Sequence, residues 1–575
     1  MAGARGRYPA RSPLLRGERS FEPRLSTDAT HPPARLIVTD PATSTPAHSP
    51  PRPIPLAPER MPHTARWRDP SGPDMFRSAL AAGASATALT VMVLTSLLLV
   101  SLASAQAGIL VPATIARTGL YPSWLAGPTG VLTSWIAVGH HTERVVFTMA
   151  IATMLVAYLV VVYAAPRVRP TWVLAAIVAL HVVFLLSPPF TLTDVFNYLN
   201  YGRMEYVHHL NPYTTIPALE PHGDPTFLLS NWHGLLSPYG PLFTIFTIGL
   251  APLGVAGSFW AMKVALMLAS LATVFLVYRC AQLLGRNPLV AATILGLNPI
   301  VMVWGMGGDH NDFLMLLLIV LACWLLLRAN AERVGRQARP AVAQPGFGGW
   351  ARHAWARLDG MPRPLVVGEP GPWMEVAAGV ALVAAVAIKA SSAVLIPVIL
   401  CGTARRMRLL LGLVIGFAAA TAMTLYAFGP NLPNLGQQAR LVIPDGIPNL
   451  IGLALGFGGE TAHMRTVMSL LLIAVVAGCC VWAWRTRRWL VACGWASLAL
   501  VATLSWTLPW YIAWLLPFVA LSRSRGLRIA AVLLGIYIYL AWMPYSSEIL
   551  GFLHVNPATT TLGQQESIYE QTLLF

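Results

Sequence analysis

The chain has 575 residues, of which 56% are hydrophobic and only 11% charged, with a formal net charge of +16 at pH 7. A soluble domain has about a quarter of its residues charged, so a soluble globular protein is excluded, and recurring runs of roughly twenty apolar residues make the chain an all-α polytopic membrane protein. The positive charge is no nucleic-acid footprint: it is nearly all arginine in one tail and in short loops, the distribution that orients membrane segments, and no nucleic-acid partner is expected.

Residues 1–75 are rich in Arg, Pro, Ser and Thr without an apolar period. They read as a disordered basic cytoplasmic tail that can touch anionic membrane lipids. No apolar segment with a small-residue cleavage site follows Met1 closely, so no cleaved signal peptide is expected. The first span is expected at about 78–105, and about 11–13 membrane helices in all, forming one transmembrane domain over 76–545. The stretch 374–403 is broken at "IKASSAVLIP" and reads as two short helices entering and leaving from one side. Segment 241–254 is short, bounded by Pro and Gly, and reads as re-entrant or interfacial. Arginines at 167–169, 279–286, 328–357, 405–408, 485–488 and 523–528 then fall on one side, with the tail. That side is cytoplasmic by the positive-inside rule. The long loop 190–257, the turn 307–311 and the C-terminal tail 546–575 face outward. This is a multi-pass plasma-membrane protein with its N-terminus inside and its site outside.

The outer stretch "FTLTDVFNYLNYGRMEYVHHLNPYTTIP" puts an acid, Asp194, just where an apolar helix ends. It reads as an amphipathic helix along the outer surface, with Asp194, Tyr198, Tyr201 and Glu205 on one face. Asp194 can cap that helix. It can also stay ionised there, favoured by the helix dipole, and take a proton from a hydroxyl. Tyr198 and Tyr201 are interfacial aromatics or sugar contacts. Arg203 either binds phosphate or snorkels. His208 and His209 read as ordinary loop residues rather than metal ligands.

"WGMGGDHNDFLM" follows no strand, so a dinucleotide-binding reading fails on context. Its Asp309, His310, Asn311 and Asp312 are polar at membrane depth, where polar groups are costly and mark function. Asn311 and Asp312 can cap the next helix. His310 can donate to a phosphate or move a proton. A divalent cation held by the acidic pair is the weaker alternative to no metal at all. The chain has two lysines, Lys263 and Lys389. Lys389 sits at the break of an apolar segment and needs an anion, with Asp309, Asp312 or a lipid phosphate as candidates. Lys263 lies near the outer end of its span and reads as snorkelling. His181 reads as a satisfied core residue. "SWTLPWYIAWLLP" reads as an outer aromatic hairpin. The six cysteines have no metal-ligand spacing.

In this order, "TDVFNYLNYGRMEYVHHLNPY", "LSPYGPLFTIF", "LNPIVMVWGMGGDHNDFLM", "AIKASSAVLIP" and "LPWYIAW" resemble the actinobacterial polyprenyl-phosphomannose-dependent α-1,6-mannosyltransferases, MptB-like members of the GT-C membrane glycosyltransferases. The resemblance covers about 171–545. Two stretches depart from the family's pattern: "DVFNYLNYGR" stands for "DVYSYxxQGR", and Lys389-Ala390 for Lys-Pro. The resemblance implies a GT-C helical bundle with an extracytoplasmic active site. It implies a polyprenyl-phosphate-mannose donor, a mannan or glycolipid acceptor, and no cofactor. By position it implies that Asp194 is the catalytic base and that His310 lies near the donor phosphate; the mechanism expected from the residues adds Lys389 and Arg203 at that phosphate and Tyr198, Tyr201, Tyr239, Asp309 and Trp510 as acceptor or sugar contacts. The same fold using arabinose or glucose, or a lipid or solute transporter, are the rival readings.

Overall fold

A computed structural model of the protein describes residues 73–104, 110, 139–330, 371 and 373–574. The basic tail up to residue 72, most of the stretch 105–138 and the arginine-rich stretch 331–370 lie outside the described residues. Among the described residues every regular element is helical and no strand occurs, as the composition requires.

The first half comprises α1 (Pro73–Ser104), α2 (His140–Ala164), α3 (Pro170–Leu185), α4 (Asp194–His208), α5 (Pro241–Leu250), α6 (Gly254–Leu283), α7 (Pro288–Gly296) and α8 (Asp312–Ala329). Then come α9 (Met374–Ile388), α10 (Leu395–Gly402), α11 (Arg406–Phe428), α12 (Ile447–Ala454), α13 (Ala462–Thr486), α14 (Trp489–Thr503), α15 (Leu516–Leu521) and α16 (Arg525–Ala541). Helices α17 (Ser546–Phe552) and α18 (Thr561–Leu574) form the C-terminal part. Proline opens α3, α5 and α7, where its missing N–H costs nothing. The Asn287 side chain caps α7, and Thr461 and Ser524 cap α13 and α16.

By length and hydropathy, six helical stretches among the described residues can cross a membrane, and a seventh if α16 and the sharply bent α17 are one span. One of the six joins α5 to α6, so 241–254 continues into the next helix rather than standing apart. Five further apolar helices are too short to cross unaided, at 10–17 residues. One of them, 390–402, joins a 3-10 turn to α10. Several of the expected spans are thus short, broken helices. The chain is a multi-pass membrane protein.

The break expected inside 374–403 is present. Helix α9 stops at Lys389, whose backbone is extended (φ −148°, ψ 119°), and a 3-10 turn leads into α10. Helix α9 lies between α8 and α11. At its start, buried Glu375 takes Arg405 at 3.2 Å and Arg408 at 4.0 Å. Arg487 reaches the Thr403 carbonyl at 2.9 Å, so these arginines gather at one end of the bundle. Lys389 is at the other end of α9, about 22 Å away at 1.5 Å per residue.

Helix α4 is not a surface helix. Residues 195–202 and Met204 are buried, and α4 packs on α5 and α6. Its buried polar residues Asn197, Asn200 and Tyr201 are matched by protein partners instead of water, which is why its sequence looks amphipathic. Of the stretch 546–575, expected as a tail, residues 546–574 are described and fold back: the Gly234 N–H donates to the Leu573 carbonyl at 2.9 Å, and Leu573 joins Leu235 and Leu441 in a small separate core.

Candidate active site

The segment between α3 and α4 is fixed by its backbone. The Phe190 N–H donates to the Gly307 carbonyl at 2.8 Å, which ties this segment to the 307–311 turn. Thr191 is left-handed (φ +61°), an uncommon conformation for a β-branched residue. Thr193 is the N-cap of α4, with no side-chain cap bond, and its hydroxyl bonds Asn231. The Asn197 amide also clasps Asn231, donating to its side chain at 2.9 Å and accepting its N–H at 3.0 Å. Asp194 is therefore not spent on capping. Its carboxylate lies 3.3 Å from Nδ1 of His310, with 16% of the Asp194 side chain exposed and 1% of His310. At that length the contact is loose rather than a tight hydrogen bond. The Tyr198 hydroxyl is the other neighbour of Nδ1, at 3.4 Å.

His310 is held by its turn. Asp309 adopts a left-handed conformation (φ +56°) and swings the chain so that the imidazole folds back over Gly308. A Cβ on Gly308 would come within 2.4 Å of His310 Nε2 and of the Trp304 carbonyl, so only glycine fits. The other face of the imidazole stacks on Trp510, centroids 3.3 Å apart.

Asp312, the first residue of α8, is the hub of the neighbouring cluster. Lys389 Nζ donates to its two oxygens at 3.0 and 2.9 Å. The Trp510 and Trp514 indoles donate at 3.1 and 2.6 Å. Lys389 also lies over the Tyr511 and Trp514 rings, at 4.8 and 5.4 Å. Three donor groups thus make four hydrogen bonds to one buried carboxylate. Lys389 remains 17% exposed and lines a cavity of about 290 Å³ with Tyr239, Ser391, Arg465, Trp506, Tyr511 and Trp514. Ser469 and Leu472 of α13, a helix whose apolar surface is mostly exposed, form another part of that wall. Asp194 is not on the wall itself, but is close enough to Tyr239 and Tyr511 to interact with them electrostatically.

The structure brings Asp194, His310, Tyr198, Tyr239, Trp510 and Lys389 together and commits the polar groups of three other expected site residues to partners of their own. Both oxygens of Asp309 bind Lys263, at 2.9 and 3.0 Å, inside the core. Lys263 therefore does not snorkel; its side chain is fully buried, because an acid on the facing turn satisfies it. The Tyr201 hydroxyl is committed to the Leu235 carbonyl at 2.7 Å. Arg203 forms a two-pronged pair with Asp224, at 2.8–3.2 Å, where His208 adds a contact at 3.0 Å. Tyr198 packs edge-on against Tyr239, centroids 4.9 Å apart, as an inner wall. His181, as expected, is satisfied in the core by the Ile177 carbonyl and Ser270. Among the described residues no group of three or more His, Cys, Asp or Glu is arranged to hold a metal ion.

The stretch between α4 and α5 carries two shifted carboxyls. Burial opposes charge on Asp224, but hydrogen bonds from Arg203, Thr226 and His208 outweigh it and hold its pKa down at about 2. Burial pushes Glu220 up to about 7, against a hydrogen bond from Asn200. Glu220 Oε2 has no hydrogen-bond partner within the protein.

Trp514, Tyr511 and Lys263 went unnoticed as site residues in the sequence. The signal for Trp514 is its spacing of four from Trp510, which puts two indole N–H groups on one side of a short helical turn. That pairing is read only once a buried acid is known to face it.

This is an all-α integral-membrane protein with a carboxylate, a histidine and a lysine gathered at one end of its bundle beside an aromatic-walled cavity. Residues 90–405 match the family model described as alpha-(1->6)-mannopyranosyltransferase, N-terminal domain, and residues 446–562 match that of the MptB C-terminal domain. The chain belongs to the alpha-(1->6)-mannopyranosyltransferase family. Alpha-(1->6)-mannopyranosyltransferase A of Mycobacterium tuberculosis is 25% identical over 413 residues, 65% of this chain and 70% of that protein. Alpha-(1->6)-mannopyranosyltransferase Rv1459c of the same organism is 26% identical over 61% of this chain and 65% of its own length. Alpha-(1->6)-mannopyranosyltransferase A of Corynebacterium glutamicum is 29% identical over 29% of this chain and 36% of its own. No solved structure gives a significant match.

Proposed function

We propose that the protein is an inverting mannosyltransferase that moves mannose from a polyprenyl-phosphate donor to a mannan or lipoglycan acceptor, forming an α-1,6 bond on the outer face of the plasma membrane. The observation that carries the reading is the pairing of Asp194 with His310 beside the cavity that Lys389 lines. The lipid chain enters past α13, and its phosphate meets the exposed part of Lys389. The acceptor lies against Tyr239. Asp194 takes the proton of the acceptor hydroxyl as that oxygen bonds to the anomeric carbon. The bond from that carbon to the phosphate oxygen breaks, and the polyprenyl phosphate leaves with the electron pair. One displacement inverts the centre, so a β donor gives an α product. Lys389 offsets the charge that grows on the phosphate.

His310 is too buried to reach a phosphate, and its role in this reading is to hold the Asp194 carboxylate, with Trp510 as its backing. Arg203 and Asp309, tied to Asp224 and Lys263, shape the loop and the turn rather than touch substrate. An outer-face site is supported by the arginines gathered at the end of α9 opposite Lys389. No divalent cation is needed, since Lys389 supplies the positive charge. The test is incubation of membranes carrying the protein with a polyprenyl-phosphate donor labelled in its mannose. Labelled product released by an α-1,6-specific mannosidase is expected; no transfer from this donor, with transfer from an arabinose or glucose analogue, would replace mannose in the reading.

A further inference from the structure

We propose that Lys263 is a positioning residue for transfer: its buried ammonium ties the segment that carries Asp194 to the turn that carries His310. The proposal rests on the reading of Asp194 as the base. Lys263 projects from α6, and its side chain is 0% exposed. An ammonium has three N–H donors, and Nζ has three acceptors. Two are the Asp309 oxygens, at 3.0 and 2.9 Å, and the third is the Ser187 carbonyl at 3.0 Å. Ser187 lies just past the end of α3, on the path to Asp194. Asp309 directly precedes His310 and holds the left-handed backbone that folds the imidazole back.

Besides this tie, the two segments share one backbone hydrogen bond among the described residues, from the Phe190 N–H to the Gly307 carbonyl at 2.8 Å, and the long Asp194–His310 contact. One such bond leaves a hinge, and the charged tie beside it fixes the angle. A buried ion pair is a weak source of stability, since apolar groups of the same size often do as well. What a methionine at 263 cannot supply is a directed hold on two segments at once. The Asp194–His310 contact is already loose at 3.3 Å. A shift of about 1 Å at reacting groups can cost about a hundredfold in rate.

The test compares full-length protein in membranes as wild type, Lys263→Met, the double variant Lys263→Met/Asp309→Asn, and Asp194→Asn. Transfer is measured per folded molecule, with folded protein counted by size-exclusion of the detergent-solubilised chain. Asparagine keeps the left-handed backbone, and the double variant leaves no unpaired buried charge. The expected result is a fall in kcat of about a hundredfold in both Lys263 variants, with donor KM within about twofold of wild type, and with folded yield recovered in the double variant. A residue that only supported the fold would lower yield and leave kcat per folded molecule unchanged. Wild-type kcat in either variant, or the absence of folded protein in both, overturns the proposal. If Asp194→Asn is inactive while Lys263→Met turns over normally, the tie alone fails. If Asp194→Asn turns over normally, the reading of Asp194 fails and the purpose given to the tie fails with it.

Discussion

Asp194 and His310, 116 positions apart in the chain, meet at 3.3 Å where the end of one apolar helix faces the turn before another. Asp194 is positioned by Thr193, Asn197 and their clasp on Asn231, and His310 by the left-handed Asp309 and the indole of Trp510.

Lys389→Met should lower both stability and transfer. It leaves Asp312, 2% exposed, with two indole donors but no cation. Removing one partner of a buried pair typically costs about 3–5 kcal/mol. The double variant Lys389→Met/Asp312→Leu should recover much of the stability and none of the transfer. Thermal unfolding of the purified protein and the transfer rate separate the two effects. Recovered transfer in the double variant would remove Lys389 from the site.

Gly240→Ala should damage the same region by steric means alone. Its Cβ would fall 2.2 Å from the Ala387 carbonyl oxygen, and the Gly240 N–H donates to the Ile388 carbonyl at 3.1 Å. Backbone cannot yield as a flexible side chain does, so a loss at the upper end of the usual 1–3 kcal/mol for overpacking, roughly, is expected. The strain falls between Tyr239 and Lys389, so transfer should fall with the melting temperature. An unchanged melting temperature would show that α5 and α9 are not packed this closely.

The pH dependence of the stretch between α4 and α5 should follow Glu220. Its carboxyl, at about 7 in the folded protein, lies above the 4.5 of an exposed glutamate. The folded state therefore binds the proton more tightly. The stability this adds is fully present below about 4.5 and is lost as pH rises through about 7. Asp224, held at about 2, works the other way and keeps its contribution until far more acid conditions. Hydrogen exchange of residues 194–230 should speed up between pH 5 and 8 beyond the intrinsic base-catalysed rise. Glu220→Gln should abolish that excess; an excess that survives would assign it to another group.

Much of the site could be read in the sequence because membrane burial makes charge expensive. Lys389 had to meet an anion, and Asp312 was among the three candidates. The break at Lys389 was visible as polar residues inside an apolar run, and Asp194 stood out as an acid at a helix boundary. What could not be read depends on long-range partners. Arg203 and Asp309 looked available because Asp224 and Lys263, their partners, are 21 and 46 positions away. Lys263 looked like a snorkelling residue because its distance from a helix end was known and the acid facing it was not. Helix α4 looked amphipathic because its polar side chains have partners, and local sequence does not separate a buried partner from water.

The most direct test is transfer by Asp194→Asn, with wild type alongside, in membranes supplied with polyprenyl-phosphate mannose. Asparagine keeps the shape of the side chain and cannot take a proton at neutral pH. With the amount of folded protein unchanged, transfer should fall by about a hundredfold or more. Transfer at the wild-type rate would show that another group accepts the proton and that the pairing of Asp194 with His310 is not the catalytic centre.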